Sequence, residues 1–281
     1  MDFYQKSIDM AAIYRGNSKV EAIILAGSVS KNLQDEHSDI ELHILWSSAP
    51  TDKDRKGPIE DVKGTILSYY PYEEEEWSEA YLDQDGIKFE ISSFLSTTVD
   101  RFIYVVIDRY ETDFNKQCIV ASIDDGISLF GDERVKALKN RVATYPLELS
   151  KQMITENLWL SNRWNNRHAL LKREDWLMLY DVICGVQKKL FGVMFGLNHM
   201  YVHHPVFKWI QFNIEQMRIK PKKLYDRMTN ILMGDSQKAI HELEVLVEEV
   251  IVLVEKYHPG LNISEQKENI RYVKQRNNFG S

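Results

Sequence analysis

The sequence predicts an α+β chain: an N-terminal mixed sheet with flanking helices over residues 1–144, then an all-helical bundle over 145–281. Three observations carry this. Short apolar runs of strand length, punctuated by Gly, Pro, Ser and Asp, fill the first half. Beyond Tyr145-Pro146 such runs vanish. Long segments with apolar residues at helical spacing replace them, most clearly over 236–257.

The elements follow in order. Residues 2–16 read as an amphipathic helix with Ile8, Ala11, Ala12 and Tyr14 inward, ending at Gly16-Asn17. An apolar strand, Ala22 to Ala26, stops at Gly27-Ser28, which reads as a tight turn into a short helix. Asp39-Ile40-Glu41 opens a second strand that runs to Trp46. Residues 47–60 are rich in Ser, Pro, Asp, Lys and Gly and read as a loop. Residues 64–72 are β-prone until Pro71, Asp83 to Gly86 is a turn, and Ile87 to Phe94 is a strand. Residues 98–115 read as a helix, 128–130 as a short strand, and a further helix reaches Tyr145-Pro146. Asp124 and Asp125, before Gly126, read as turn residues. The sheet is expected to carry its helices on one side.

In the second half, Ile240, Leu243, Leu246, Val247, Val250, Leu253 and Val254 repeat at helical spacing. Asp235 or Ser236 caps that helix and Pro259-Gly260 ends it. Most of Trp159, Trp164, Trp176 and Trp209 are expected in the core. The final residues, 275–281, read as frayed.

A formal net charge of -7 argues against broad nucleic-acid binding, which depends on cationic contacts to phosphate. It suits a cationic small-molecule partner. Cys118 and Cys184 form no C-x-x-C pair and read as small packed hydrophobes in a reducing compartment. The N-terminus lacks the pattern of a secretory signal, and no apolar run approaches the ~20 residues of a membrane helix. The expectation is a soluble, cytoplasmic protein without a membrane partner.

The chemistry concentrates between Ala22 and His43. Side chains alternate across a strand, so Asp39 and Glu41 point to one face while Ile40 and Leu42 point to the other. Adjacent carboxylates repel unless a cation lies between them. A Gly-Ser turn entering a helix offers N–H groups and a hydroxyl to phosphate oxygens. In the later strand, Lys88, Glu90 and Ser92 share one face; Glu is not favoured in a strand interior, which singles out Glu90. Glu73 to Glu76, beside Tyr69, Tyr70, Tyr72 and Trp77, reads either as an acidic, aromatic wall for a cation or as a solvated charge run. His199 and His203 have helical i, i+4 spacing, but Pro205 follows and no carboxylate or cysteine stands near, which weighs against a zinc site.

Gly27-Ser28 followed by Asp39-x-Glu41, flanked by Ile40 and Leu42, resembles the signature of nucleotidyltransferases of the DNA polymerase beta type. Among small members it is most similar to the lincosamide and aminoglycoside nucleotidyltransferases. The family often has Arg-Gly soon after the Gly-Ser turn, where this chain has Lys31-Asn32; a lysine meets phosphate as a point charge without the bidentate fork. The resemblance implies Mg²⁺, two ions, held by Asp39, Glu41 and Glu90, with Glu90 as metal ligand or base. It implies ATP or another NTP on Gly27, Ser28 and Lys31, with Lys208 of the helical half meeting the triphosphate. It implies transfer of a nucleoside monophosphate to a hydroxyl of a small molecule, an aminoglycoside or lincosamide antibiotic foremost. A homodimer is compatible with it. Two alternatives stand beside this: AMP transfer to a protein side chain, and a catalytically inactive nucleotide-binding module. Length disfavours the first and the intact carboxylate set the second.

Overall fold

The computed structural model describes residues 2–274; the stretch read as frayed, 275–281, lies outside the described residues. The chain divides into two compact units, residues 2–109 with 115–144 and residues 110–114 with 145–274.

The first unit opens with helix α1 (Phe3–Tyr14), whose start is capped by the Asp2 carboxylate accepting from the Gln5 N–H. There follow β1 (Val20–Ala26), the four-residue helix α2 (Gly27–Ser30), β2 (Ile40–Trp46), α3 (Asp52–Asp61), β3 (Thr65–Tyr69), β4 (Trp77–Leu82) and β5 (Lys88–Leu95). Then come α4 (Ser96–Ile107), α5 (Phe114–Asp125), β6 (Ile127–Phe130) and α6 (Asp132–Val142). The described strands form one mixed sheet in the order β3-β4-β5-β2-β1-β6. β2 and β5 run parallel, and the other neighbouring pairs are antiparallel.

One face of the sheet packs Ile23, Leu25, Ile40, Leu42, Ile44, Phe89 and Ile91 against Met10, Ala11 and Tyr14 of α1 and Ile59 of α3. Ile8 and Ala12, expected inward, are exposed. An apolar cluster on a helix fits more than one phase, and the phase that wins turns Met10 and Tyr14 to the sheet, with Tyr14 edge-on to Trp46. From the opposite face α4 packs on β5 and β2, Phe102 edge-on to Phe94. Helices therefore lie on both faces, not one.

Residues 52–61 are helix rather than loop. Thr51 and Asp54 form a capping box, the Thr51 hydroxyl accepting from the Asp54 N–H and the Asp54 carboxylate from the Thr51 N–H. Arg55 of α3 then reaches Glu79 of β4, its Nε and Nη2 donating to Glu79 Oε2 at 2.8 and 2.6 Å, with both side chains buried. Arg55 also donates to the carbonyls of Tyr70 and Ser78. The stretch read as one helix over 98–115 is broken after Ile107, and α5 starts at Phe114. Asp124 and Asp125 are the last residues of α5, not a turn.

The second unit's described elements are helical: α7 (Leu147–Asn157), a 3-10 turn at Trp164–Asn166, α8 (Arg167–Arg173), α9 (Trp176–Leu197), α10 (Ile210–Gln216), α11 (Leu224–Met233), α12 (Ser236–Tyr257) and α13 (Ser264–Arg271). α9 is the hub, with α7, α8, α11 and α12 against it. A Cβ at Gly192 would come within 2.4 Å of Asn157 Cγ, and one at Gly196 within 2.9 Å of Met153 Cβ. Bare backbone there lets α7 close on α9. α12 buries Ile240, Leu243, Leu246, Val247, Val250 and Val254, with Leu253 half-buried, and Asp235 caps its start.

Of the tryptophans expected in the core, only Trp164 is buried, its Nε1 donating to the Ile270 carbonyl at 3.0 Å. Trp159, Trp176 and Trp209 are exposed. They stand just beyond or at helix ends, where no further turn of helix covers them. Cys184 is exposed rather than packed. No described helix is long and apolar enough to cross a membrane.

Candidate active site

The parallel pairing of β2 with β5 sets Glu41 directly beside Glu90. Asp39 stands immediately before β2, two residues from Glu41. One carboxylate oxygen from each of Asp39, Glu41 and Glu90 lies within 4.8 Å of the other two. Among the described residues this is the only such convergence of three potential metal-ligating side chains. The strand register explains it. Alternation turns Ile40, Leu42, Phe89 and Ile91 into the core beneath α1, so their neighbours Glu41 and Glu90 emerge together on the opposite face.

Gly27 supplies the wall. It has φ +66, and a Cβ built on it would lie 2.5 Å from both Cδ and Oε1 of Glu41. Only a residue without a side chain lets the end of β1 approach that carboxylate. Ser28, next along, is buried. The Ser30 hydroxyl donates to the Gly27 carbonyl at 3.0 Å and the Leu33 N–H to the Ser28 carbonyl at 2.9 Å, which fixes the turn. Lys31 extends from this turn to an ion pair with Asp125 at 2.9 Å.

A cation from the chain itself enters the cluster. Lys88 Nζ bonds to Glu90 Oε1 and lies 3.3 Å from Asp39 Oδ2. Its hydrogen bond to Glu90 holds the ammonium above the ordinary lysine value, against partial burial and with further help from Asp39. The alternation that picks out Glu90 picks out Lys88 as well.

The same face continues away from the carboxylates. His43, two residues beyond Glu41 and level with Ser92, rests on the Phe94 ring. Burial pushes its imidazole down to about 4, so it is neutral at pH 7. Its spacing of two from Glu41 is the signal in the sequence that places it on this face. Glu76 lies at the hairpin tip between β3 and β4, where Glu73 and Glu76 bridge. Burial raises its carboxyl, and a side-chain hydrogen bond from Ser92 opposes the rise. Elsewhere on the tip Glu75 pairs with Arg101, and Tyr72 packs on Trp77 with ring centroids 4.3 Å apart. The acidic run is thus partly tied down rather than wholly solvated.

The remaining sequence candidates belong to the second unit. Lys208 lies in a turn before α10 and is exposed. Asn198 is occupied at the end of α9, accepting from the N–H groups of Arg218 and Ile219 and donating to the Ile219 carbonyl. α9 ends at Leu197, and His199 takes a left-handed conformation, so His199 and His203 never share a helix face.

The donor set suits a hard divalent cation: three carboxylates, no thiolate or imidazole bonded among them, and an open backbone wall at Gly27. Comparison with known proteins gives little more. A family described as a domain of unknown function, DUF4037, matches residues 112–210. None of the curated proteins compared matches the chain. Among solved structures, that of an aminoglycoside 6-adenyltransferase from Bacillus subtilis is 9% identical, covering 96% of this chain and 95% of that one, at a TM-score of 0.35. A likeness that faint carries no argument.

Proposed function

We propose that the chain is a nucleotidyltransferase that moves a nucleoside monophosphate, AMP from ATP foremost, onto a hydroxyl of a small molecule. The observation that carries this reading is the convergence of Asp39, Glu41 and Glu90 beside the Gly27 turn. The signature read from the sequence and the packed geometry fall on the same residues.

The chemistry balances simply. The acceptor oxygen attacks the α-phosphorus, the bond from that phosphorus to the bridging oxygen breaks, and pyrophosphate leaves. The acceptor proton passes to Glu90, whose side chain is more exposed than that of Asp39. Asp39, Glu41 and Glu90 would hold Mg²⁺, which supplies charge neutralisation for the attacking and leaving oxygens. Gly27 and Ser28 would lie against β- and γ-phosphate oxygens in this reading, and Lys31 is the ammonium group assigned to the triphosphate. Catalysis is then largely positioning and charge stabilisation. The formal net charge of -7 suits an acceptor that carries positive charge, an aminoglycoside foremost.

Incubation of the protein with ATP, Mg²⁺ and a library of hydroxyl compounds, read by mass spectrometry, tests the reading. It predicts a nucleotide-mass adduct and pyrophosphate, both abolished by Asp39→Asn. Adducts on protein partners alone would replace the small-molecule acceptor with a protein one. Undiminished turnover by Asp39→Asn would remove the site assignment.

A further inference from the structure

Lys88 is the feature of the cluster that the carboxylate chemistry does not use. It lies on β5 at the position one alternation before Glu90, and its ammonium bonds to Glu90 and lies 3.3 Å from Asp39. Three carboxylates with oxygens within 4.8 Å of one another repel strongly when nothing cationic lies among them. A divalent ion relieves that repulsion when bound. In metal-free protein the relief must come from elsewhere, and Lys88 is where the chain puts it.

We propose that Lys88 is a resident counter-ion: it holds Asp39 and Glu90 together in the metal-free protein and must withdraw from them when a divalent cation binds. The inference rests on the proposed metal site. Its consequence is a competition. Each carboxylate oxygen given to the ammonium is unavailable to the metal, and two like-signed cations cannot share the cluster without cost. The lysine can withdraw, because its side chain is 38% exposed and its four-carbon stem is flexible. Glu41 and Glu90 stay gathered by the strand register, as neighbours across β2 and β5 whether or not the lysine is there. Lys88 thereby sets a threshold. It lowers the affinity of the bare protein for free cation and favours cation that arrives with a polyphosphate, whose negative charge gives the displaced ammonium a new partner.

Calorimetric titration of the full chain with MgCl₂ alone, without nucleotide, reads this directly. An ion pair this exposed contributes roughly 1 kcal/mol or less, so Lys88→Met should bind Mg²⁺ about threefold to fivefold more tightly than wild type. Lys88→Arg should bind no more tightly than wild type, since it keeps the charge. Thermal unfolding gives a second readout. Without metal, Lys88→Met should melt lower than wild type, and saturating Mg²⁺ should raise its melting temperature by more than it raises that of wild type. Equal Mg²⁺ affinities in wild type and Lys88→Met, or weaker binding by the variant, would overturn the counter-ion role while leaving the metal site intact. Absence of Mg²⁺ binding in both proteins, even with ATP present, would overturn the proposed function and this inference with it.

Discussion

Replacing Gly27 by alanine separates backbone strain from damage to the site. At φ +66 an alanine sits in the left-handed region, which costs roughly 1–2 kcal/mol for an L-residue. The new Cβ would also fall 2.5 Å from Glu41 Cδ and Oε1. Those atoms form the far end of a flexible side chain, so the carboxylate moves before the strand does. The second effect therefore appears in ligand binding rather than in stability, as a loss of about tenfold to a hundredfold in Mg²⁺ affinity, the range seen when a ligand's support is removed. Gly86→Ala is the control. Its φ of +79 imposes the same strain, and its Cβ would meet nothing within 4 Å. Urea unfolding should show both variants destabilised by about 1–2 kcal/mol. Calorimetry with Mg²⁺ should show a loss in Gly27→Ala alone. Unchanged Mg²⁺ affinity in Gly27→Ala would refute the claim that Glu41 is a ligand pressed against a bare backbone wall.

Three further outcomes follow from the first unit. Arg55→Met strands the buried Glu79 carboxylate and should cost about 3–5 kcal/mol by urea unfolding, most of which the double variant Arg55→Met/Glu79→Met should recover. Burial pushes the Glu79 carboxyl from 4.5 up to about 7, against the lowering by Arg55. Between those values the folded state holds more protons than the unfolded one, so this contribution is full below 4.5 and declines as pH rises to 7. Urea midpoints from pH 4.5 to 7.5 should show that decline in wild type and a flatter profile in Glu79→Gln. Lys31→Met breaks a partly exposed pair with Asp125 and should cost less than about 1 kcal/mol of stability. If Lys31 meets phosphate, the same variant should weaken Mg-ATP binding about tenfold in calorimetry, and a wild-type affinity would dismiss it from the nucleotide site.

The parts of this fold legible in the sequence are those with local causes. The β1 turn and β2 are announced by apolar runs that stop at Gly27-Ser28 and restart at Ile40, and α12 by its apolar stripe between Asp235 and Pro259. The carboxylate face follows from alternation alone, because residues flanking Glu41 and Glu90 are core residues. Elements whose cause is distant were not legible. β4 carries a charged residue, Glu79, into the interior, and the arginine that neutralises it lies 24 positions earlier on a helix whose composition reads as loop. That helix is declared only by the Thr51–Asp54 capping box, a signal overruled by Gly57 and Pro58. The phase of α1 is set by the sheet it meets, which no pattern within the helix records. Lys88 falls on the Glu90 face by the alternation read from the sequence, and His43 was readable by carrying the same alternation one step beyond Glu41.

Anomalous diffraction from crystals grown with Mn²⁺ and a non-hydrolysable ATP analogue tests the central claim most directly. The account predicts a Mn²⁺ peak bonded to both Asp39 and Glu41, with Glu90 on the same or an adjoining peak and the α-phosphate within reach. Metal bound elsewhere, with these three carboxylates turned to solvent, would contradict it.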